Sequence, residues 1–143
     1  PALRGLRALW LDGSHAEDGN LSPAHLDRFL ARLDLPDLRH LDLSDRPVGG
    51  RAARHLADGR FASLRRLDLS GCRLTDAAVA RLLAAPALRN LIELNVARND
   101  LRDGPAALAD RAVLPQLSSS VLGGNRIAHA VARKLRRRPG VLV

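Results

Sequence analysis

The sequence predicts an α/β solenoid, a stack of strand-and-helix repeats, on three observations. A leucine pattern returns at a near-constant interval along almost the whole chain. The segments between its copies carry the apolar spacing of helices. The interior must also be aliphatic, because aromatic residues make up only 2% of a chain that is 46% hydrophobic. At 143 residues the chain has the size of one domain and can bury a continuous core without disulfides or a structural metal, so residues 1–143 are read as a single domain.

The pattern is LxxLxLxx, then a polar or small residue, one free position and an apolar residue. Its copies are Leu6, Leu9, Leu11, Ser14, Ala16; Leu38, Leu41, Leu43, Arg46, Val48; Leu64, Leu67, Leu69, Cys72, Leu74; Leu91, Leu94, Val96, Asn99, Leu101; and Leu117, Ser120, Leu122, Asn125, Ile127. Successive copies start 32, 26, 27 and 26 residues apart, which is the signature of repeats that bury a shared core by stacking. Alternate leucines of a short strand point inward, and an Asn or Cys just after them satisfies backbone groups where the chain turns away. Asn99, Asn125 and Cys72 fit that role; Ser14 and Arg46 do not, so irregular turns are expected there.

Helices are expected between the strands. Ser22 is an N-cap with Pro23 in the first turn, Leu21 and Leu26 form a hydrophobic staple, and Leu26, Phe29, Leu30 and Leu33 share one face. Ala53, Leu56 and Ala57 mark a shorter second helix, and Val79, Leu82 and Leu83 a third, capped by Thr75 or Asp76. Asp103 opens a fourth with Leu108 and Ala112 inward, and Val131 and Leu135 define a fifth. Pro86, Pro115 and Pro139 end helices.

The run LRRLDLSGCRLTDAAVARLLAAPAL, residues 64–88, resembles a leucine-rich repeat of the ribonuclease-inhibitor-like class, with its Cys variant and its Leu-Thr-Asp helix opening. The resemblance extends over nearly all of residues 3–138. It implies a right-handed, curved solenoid of five repeats, with parallel strands on the concave face and helices on the convex face. It further implies a protein-binding module that is not an enzyme and needs no cofactor.

In that register the residues flanking the central leucines project from the concave face. One column holds Trp10, Asp42, Asp68, Asn95 and Val121; the one before it holds Ala8, His40, Arg66, Glu93 and Ser119; the one after it holds Asp12, Ser44, Ser70, Ala97 and Gly123. Trp10, His40, Asp42, Arg66, Asp68, Glu93 and Asn95 are the expected partner contacts. Trp10 is either an interface anchor or a cover for the edge of the first repeat. Asp42 and Asp68 should stand on adjacent strands, either as two solvated carboxylates or as a shared site for a partner's cation.

The net charge of +8 raises a nucleic-acid reading, but five of those charges come from Arg133, Lys134, Arg136, Arg137 and Arg138. These residues form either the soluble cap of the last repeat or a patch for nucleic acid or an anionic membrane. The preference for Arg over Lys is read as codon bias of a GC-rich bacterium. Cys72, the single cysteine, excludes an internal disulfide and is read as a buried turn residue. His15, His25, His40, His55 and His129 lack metal-ligand spacing, and Gly123–Gly124 is read as a turn, because no phosphate-loop motif surrounds it.

The chain starts at Pro1 with a first repeat whose apolar edge has no obvious cap. It is therefore expected to be a fragment or the C-terminal part of a longer protein, with that edge packed on another domain or chain. A cytoplasmic location is expected, any signal sequence lying upstream of residue 1. A role as the targeting arm of a larger enzyme or effector is a further alternative.

Overall fold

Each leucine pattern becomes a strand of only three residues, because one inward side chain between two outward ones is all that a repeat contributes to the sheet. A computed structural model describes residues 3–13 and 22–143. Six parallel strands pair in chain order: β1 (Ala8–Trp10), β2 (His40–Asp42), β3 (Arg66–Asp68), β4 (Glu93–Asn95), β5 (Ser119–Val121) and β6 (Val141–Leu142). The register places Leu9, Leu41, Leu67, Leu94 and Ser120 side by side, so equal repeat positions form columns. Leu41, Leu67 and Leu94 are buried in a core built almost wholly of Leu, Val and Ala.

β6 adds a strand to the five expected repeats. It pairs Val141 with Ser120, and no leucine pattern announced it because the returning segment is shorter than a repeat. Gly140 makes this approach feasible: at φ 81° a Cβ there would lie 1.9 Å from the Ser118 carbonyl oxygen.

The helices pack side by side beneath the sheet: α1 (Pro23–Arg32), α2 (Gly49–Leu56), α3 (Asp76–Leu83) and α4 (His129–Leu135). Ser22 and Thr75 cap α1 and α3 through His25 N–H and Ala78 N–H, as their residue types predict. Leu26 and Leu30 are buried, but Phe29 is exposed, because it falls one residue off the inward stripe. The proposed staple residue Leu21 lies outside the described residues, as do Ser14, His15 and Ala16.

The fourth segment differs from the α-helix expected of it. Gly104–Ala109 is a 3-10 helix, and Ala112 lies beyond its end and is exposed. Asp76 Oδ1 accepts Arg102 N–H at 3.0 Å and Gly104 N–H at 2.8 Å, while Pro105 has no N–H to give, so the segment starts bound to α3. Pro86 also departs from expectation, opening a 3-10 turn over Pro86–Leu88 after α3 has ended.

The chain leaves β2, β3, β4 and β5 through one repeated left-handed turn, at Asp45, Gly71, Arg98 and Gly124, with φ of 56°, 65°, 55° and 72°. The residue after each turn reaches back to the preceding repeat. Asn125 Nδ2 donates to Val96 O at 2.9 Å and Asn99 Nδ2 to Leu69 O at 2.8 Å. Cys72 Sγ donates to Leu43 O at 3.0 Å, and Arg46 Nε to Leu11 O at 2.8 Å. Arg46 was expected to mark an irregular turn; instead its guanidinium takes the place of the Asn amide, and a second donor reaches Asp12 O at 2.9 Å. Asn99 also accepts Leu74 N–H at 3.0 Å.

Asn99→Ala should therefore cost about 3 kcal/mol in urea denaturation, the range for leaving buried backbone groups unpaired. A loss under about 1 kcal/mol would show that other donors serve these groups. Acid should weaken the tie between α3 and the 3-10 segment. Burial opposes ionisation of Asp76, but the N–H groups of Arg102, Gly104 and Asp103 outweigh it and hold the carboxyl below its ordinary 3.8. A pKa lowered by folding gives stability that is present above the unfolded value and is lost as pH falls through the folded value. The stability gap between wild type and Asp76→Asn should thus be widest near neutral pH and close below about pH 3.8; a gap independent of pH would refute this assignment.

Candidate functional site

The exposed face of the sheet is the surface to which every repeat contributes. Alternation along the strands sets His40, Arg66, Glu93 and Ser119 in one row, and Trp10, Asp42, Asp68, Asn95 and Val121 in the next, so all seven expected contacts share one face. Between them lies a shallow hollow of about 220 Å³, lined by His40, Arg66, Asp68, Glu93, Asn95 and by Ser119 and Val121, which the sequence placed in the outward columns but not among the expected contacts. It is smaller than the 300 Å³ or so at which small-molecule sites begin, and suits a partner's side chain better than a free substrate.

The polar groups on this face are held in place. Asp42 Oδ1 accepts Ser44 N–H at 2.9 Å, and Asp68 Oδ1 accepts Ser70 N–H at 2.9 Å and Ser70 Oγ–H at 2.7 Å. Asn95 repeats the device, accepting Ala97 N–H at 3.1 Å while its amide donates to Asp68 Oδ2 at 2.8 Å. Each Asp or Asn caps the turn that follows its own strand, which also draws Ser70 into burial. Arg66 pairs with Glu93 at 3.2 Å. Among the described residues no cation pairs with Asp42 or Asp68.

Trp10 is 59% exposed and meets the His40 ring edge-on, with centroids 5.2 Å apart. This leaves most of the indole free at one end of the face, beside Asp42 on the neighbouring strand.

The basic C-terminal group divides. Arg133, Lys134, Arg136 and Arg137 are exposed, but Arg138 is 5% exposed and leaves the patch to which it was assigned. Its Nη1 donates to the carbonyls of Leu108, Asp110 and Val113 at 3.1, 2.9 and 2.7 Å, and its Nη2 to that of Leu114 at 2.7 Å. Backbone N–H groups of Val113 and Leu117 also reach two of these carbonyls, those of Asp110 and Leu114, and one forked guanidinium ties all four together across the end of the 3-10 helix and the irregular stretch after it. Its sequence signal was its place three residues after the buried Leu135.

Cys72 is fully buried, and burial, aided by Asp68, Asp45 and Asp42, pushes its thiol up to about 12. It stays a protonated donor to Leu43 O and is not a nucleophile. Of the histidines, His55 contacts Asp27 at 3.1 Å and His25 contacts Ser22 Oγ at 3.1 Å, both on the helical side. Among the described residues no three His, Cys, Asp or Glu side chains gather as a metal site, and no helix is long and apolar enough to cross a membrane.

Comparison with known proteins adds two findings. The leucine-rich-repeat family model matches residues 62–83, the span from the approach to β3 to the end of α3. Ribonuclease inhibitor from Sus scrofa is 41% identical over 76 residues, which make up 50% of this chain and 17% of that protein. With its columns of stacked leucines, parallel strands and side-chain ladder, the chain is a leucine-rich-repeat solenoid similar to ribonuclease inhibitor.

Proposed function

We propose that the chain is a protein-binding module whose partner docks on the exposed, concave face of the strands. The observation that carries this reading is the exposed Trp10 ring beside Asp42, with Asp68 on the next strand, two carboxylates held by the backbone and without a cation among the described residues. An aromatic with little conformational freedom beside fixed charges is the composition of an interface hot spot. His40 and Asn95 extend this anchor across the sheet, and the Arg66–Glu93 pair gives the face both signs of charge.

The partner's chemistry follows from the same residues. A Lys or Arg side chain laid along the Trp10 ring would meet the ring face and the carboxylate of Asp42 together. The module itself performs no reaction in this reading. Affinity comes from a surface whose polar groups are ordered before the partner arrives, which lowers the entropic cost of association.

The test is capture of partners from a lysate of the source cells on wild-type protein, on Trp10→Ala/Asp42→Arg, and on a variant with Arg133, Lys134, Arg136 and Arg137 changed to Gln. All three must first give the same circular dichroism and thermal unfolding. A protein lost only from the first variant is expected, and with that protein purified Trp10→Ala should weaken Kd by about 30-fold, near 2 kcal/mol. Capture indifferent to the strand-face changes would overturn the reading.

A further inference from the structure

The two sides of the solenoid carry different charge. The strand side carries both signs of charge, whereas on the α-helices the exposed charged residues are basic. Helix α1 offers Arg28 and Arg32, α2 offers Arg51 and Arg54, and α4 offers Arg133 and Lys134, all exposed. The four α-helices hold only two acids, and both have internal duties: Asp27 contacts His55 at 3.1 Å, and Asp76 caps the backbone of the neighbouring segment. Codon bias raises the arginine count but does not account for four α-helices that carry no exposed carboxylate.

We propose that the helical side binds the phosphate backbone of double-helical nucleic acid, with the packed pair α1 and α2 as its main contact. This surface is separate from the strand face and does not depend on what binds there. Arginine's planar fork matches phosphate oxygens, and cations borne on adjacent helices about 10 Å apart can follow a phosphate track without reading bases. A membrane fits less well, since Phe29 is the one large apolar side chain exposed on the described helices, too little to insert. A protein partner fits less well for the same reason, as the side lacks a cluster of apolar anchors.

Fluorescence anisotropy with a labelled 20-base-pair duplex tests this on the intact chain. One variant carries Arg28→Glu, Arg32→Glu, Arg51→Glu and Arg54→Glu. A charge-matched control carries Arg7→Glu, Arg39→Glu, Arg73→Glu and Arg89→Glu, also exposed but in the loops; both take the net charge from +8 to 0. Circular dichroism and thermal unfolding must match wild type for both, and if the fourfold variant unfolds, the pair Arg28→Gln/Arg54→Gln replaces it and is expected to lose several-fold.

The expected result is duplex affinity that falls about a hundredfold between 50 and 200 mM salt, as for release of about four counterions. At fixed salt the helix variant should lose at least tenfold more affinity than the control. Equal losses in both variants would reduce the effect to net charge and overturn the proposal. So would absence of duplex binding, or binding only to vesicles containing phosphatidylserine.

Discussion

Every repeat must turn out of its strand while its last carbonyl is already sealed beneath the next repeat, away from water. The structure depends on how that carbonyl is satisfied. One side chain per repeat, Arg46, Cys72, Asn99 or Asn125, reaches back across the interface and donates to it. A buried carbonyl left unpaired costs on the order of 1–3 kcal/mol, comparable to the gain from burying a leucine, so the ladder and the leucine columns are needed together. The donors differ in chemistry because only a donor at that position is required: an amide, a thiol or a guanidinium will serve.

The same economy shapes the strand face. Asp42, Asp68 and Asn95 use one oxygen each to cap the following turn, and the remaining Asp68 oxygen accepts the Asn95 amide, which ties two of them together across the strands. Side chains that would be mobile on an ordinary surface are thus ordered by the needs of the backbone. An ordered polar row with Trp10 at its end is a by-product of building the turns, and the proposed recognition by that face rests on it.

The irregular part of the solenoid is held by different means. Between the 3-10 helix and β5 the chain lacks a repeat's regular hydrogen bonding, and Arg138 returns from beyond α4 to bond three of its carbonyls together with that of Leu108 in the helix. Burying that charge is tolerable because the four oxygens replace its hydration. Gly140, two residues on, brings β6 against β5, so the last turn closes on the sheet through two positions a single residue apart. At Ser120, where the column otherwise holds leucine, a fully buried hydroxyl is left without a partner among the described residues, a local defect beside this repair.

The leucine spacing by itself determined the solenoid, the strand register and the two outward columns, because each follows from a period that is written into the chain and repeated. The caps at Ser22 and Thr75 were equally legible, since they act within one turn of their own residues. What only the tertiary structure decided are the cases where one residue serves a group 20 or more positions away. Arg46 could be placed in the ladder column but not given its task without the carbonyls of Leu11 and Asp12 in position. Arg138 read as one more member of a basic run, because charge is visible in a sequence and the four carbonyls awaiting it are not. The exposure of Phe29 and Ala112, the 3-10 winding of Gly104–Ala109 and the pairing of β6 depend likewise on which surfaces neighbouring repeats present, and that is fixed only when the repeats stack.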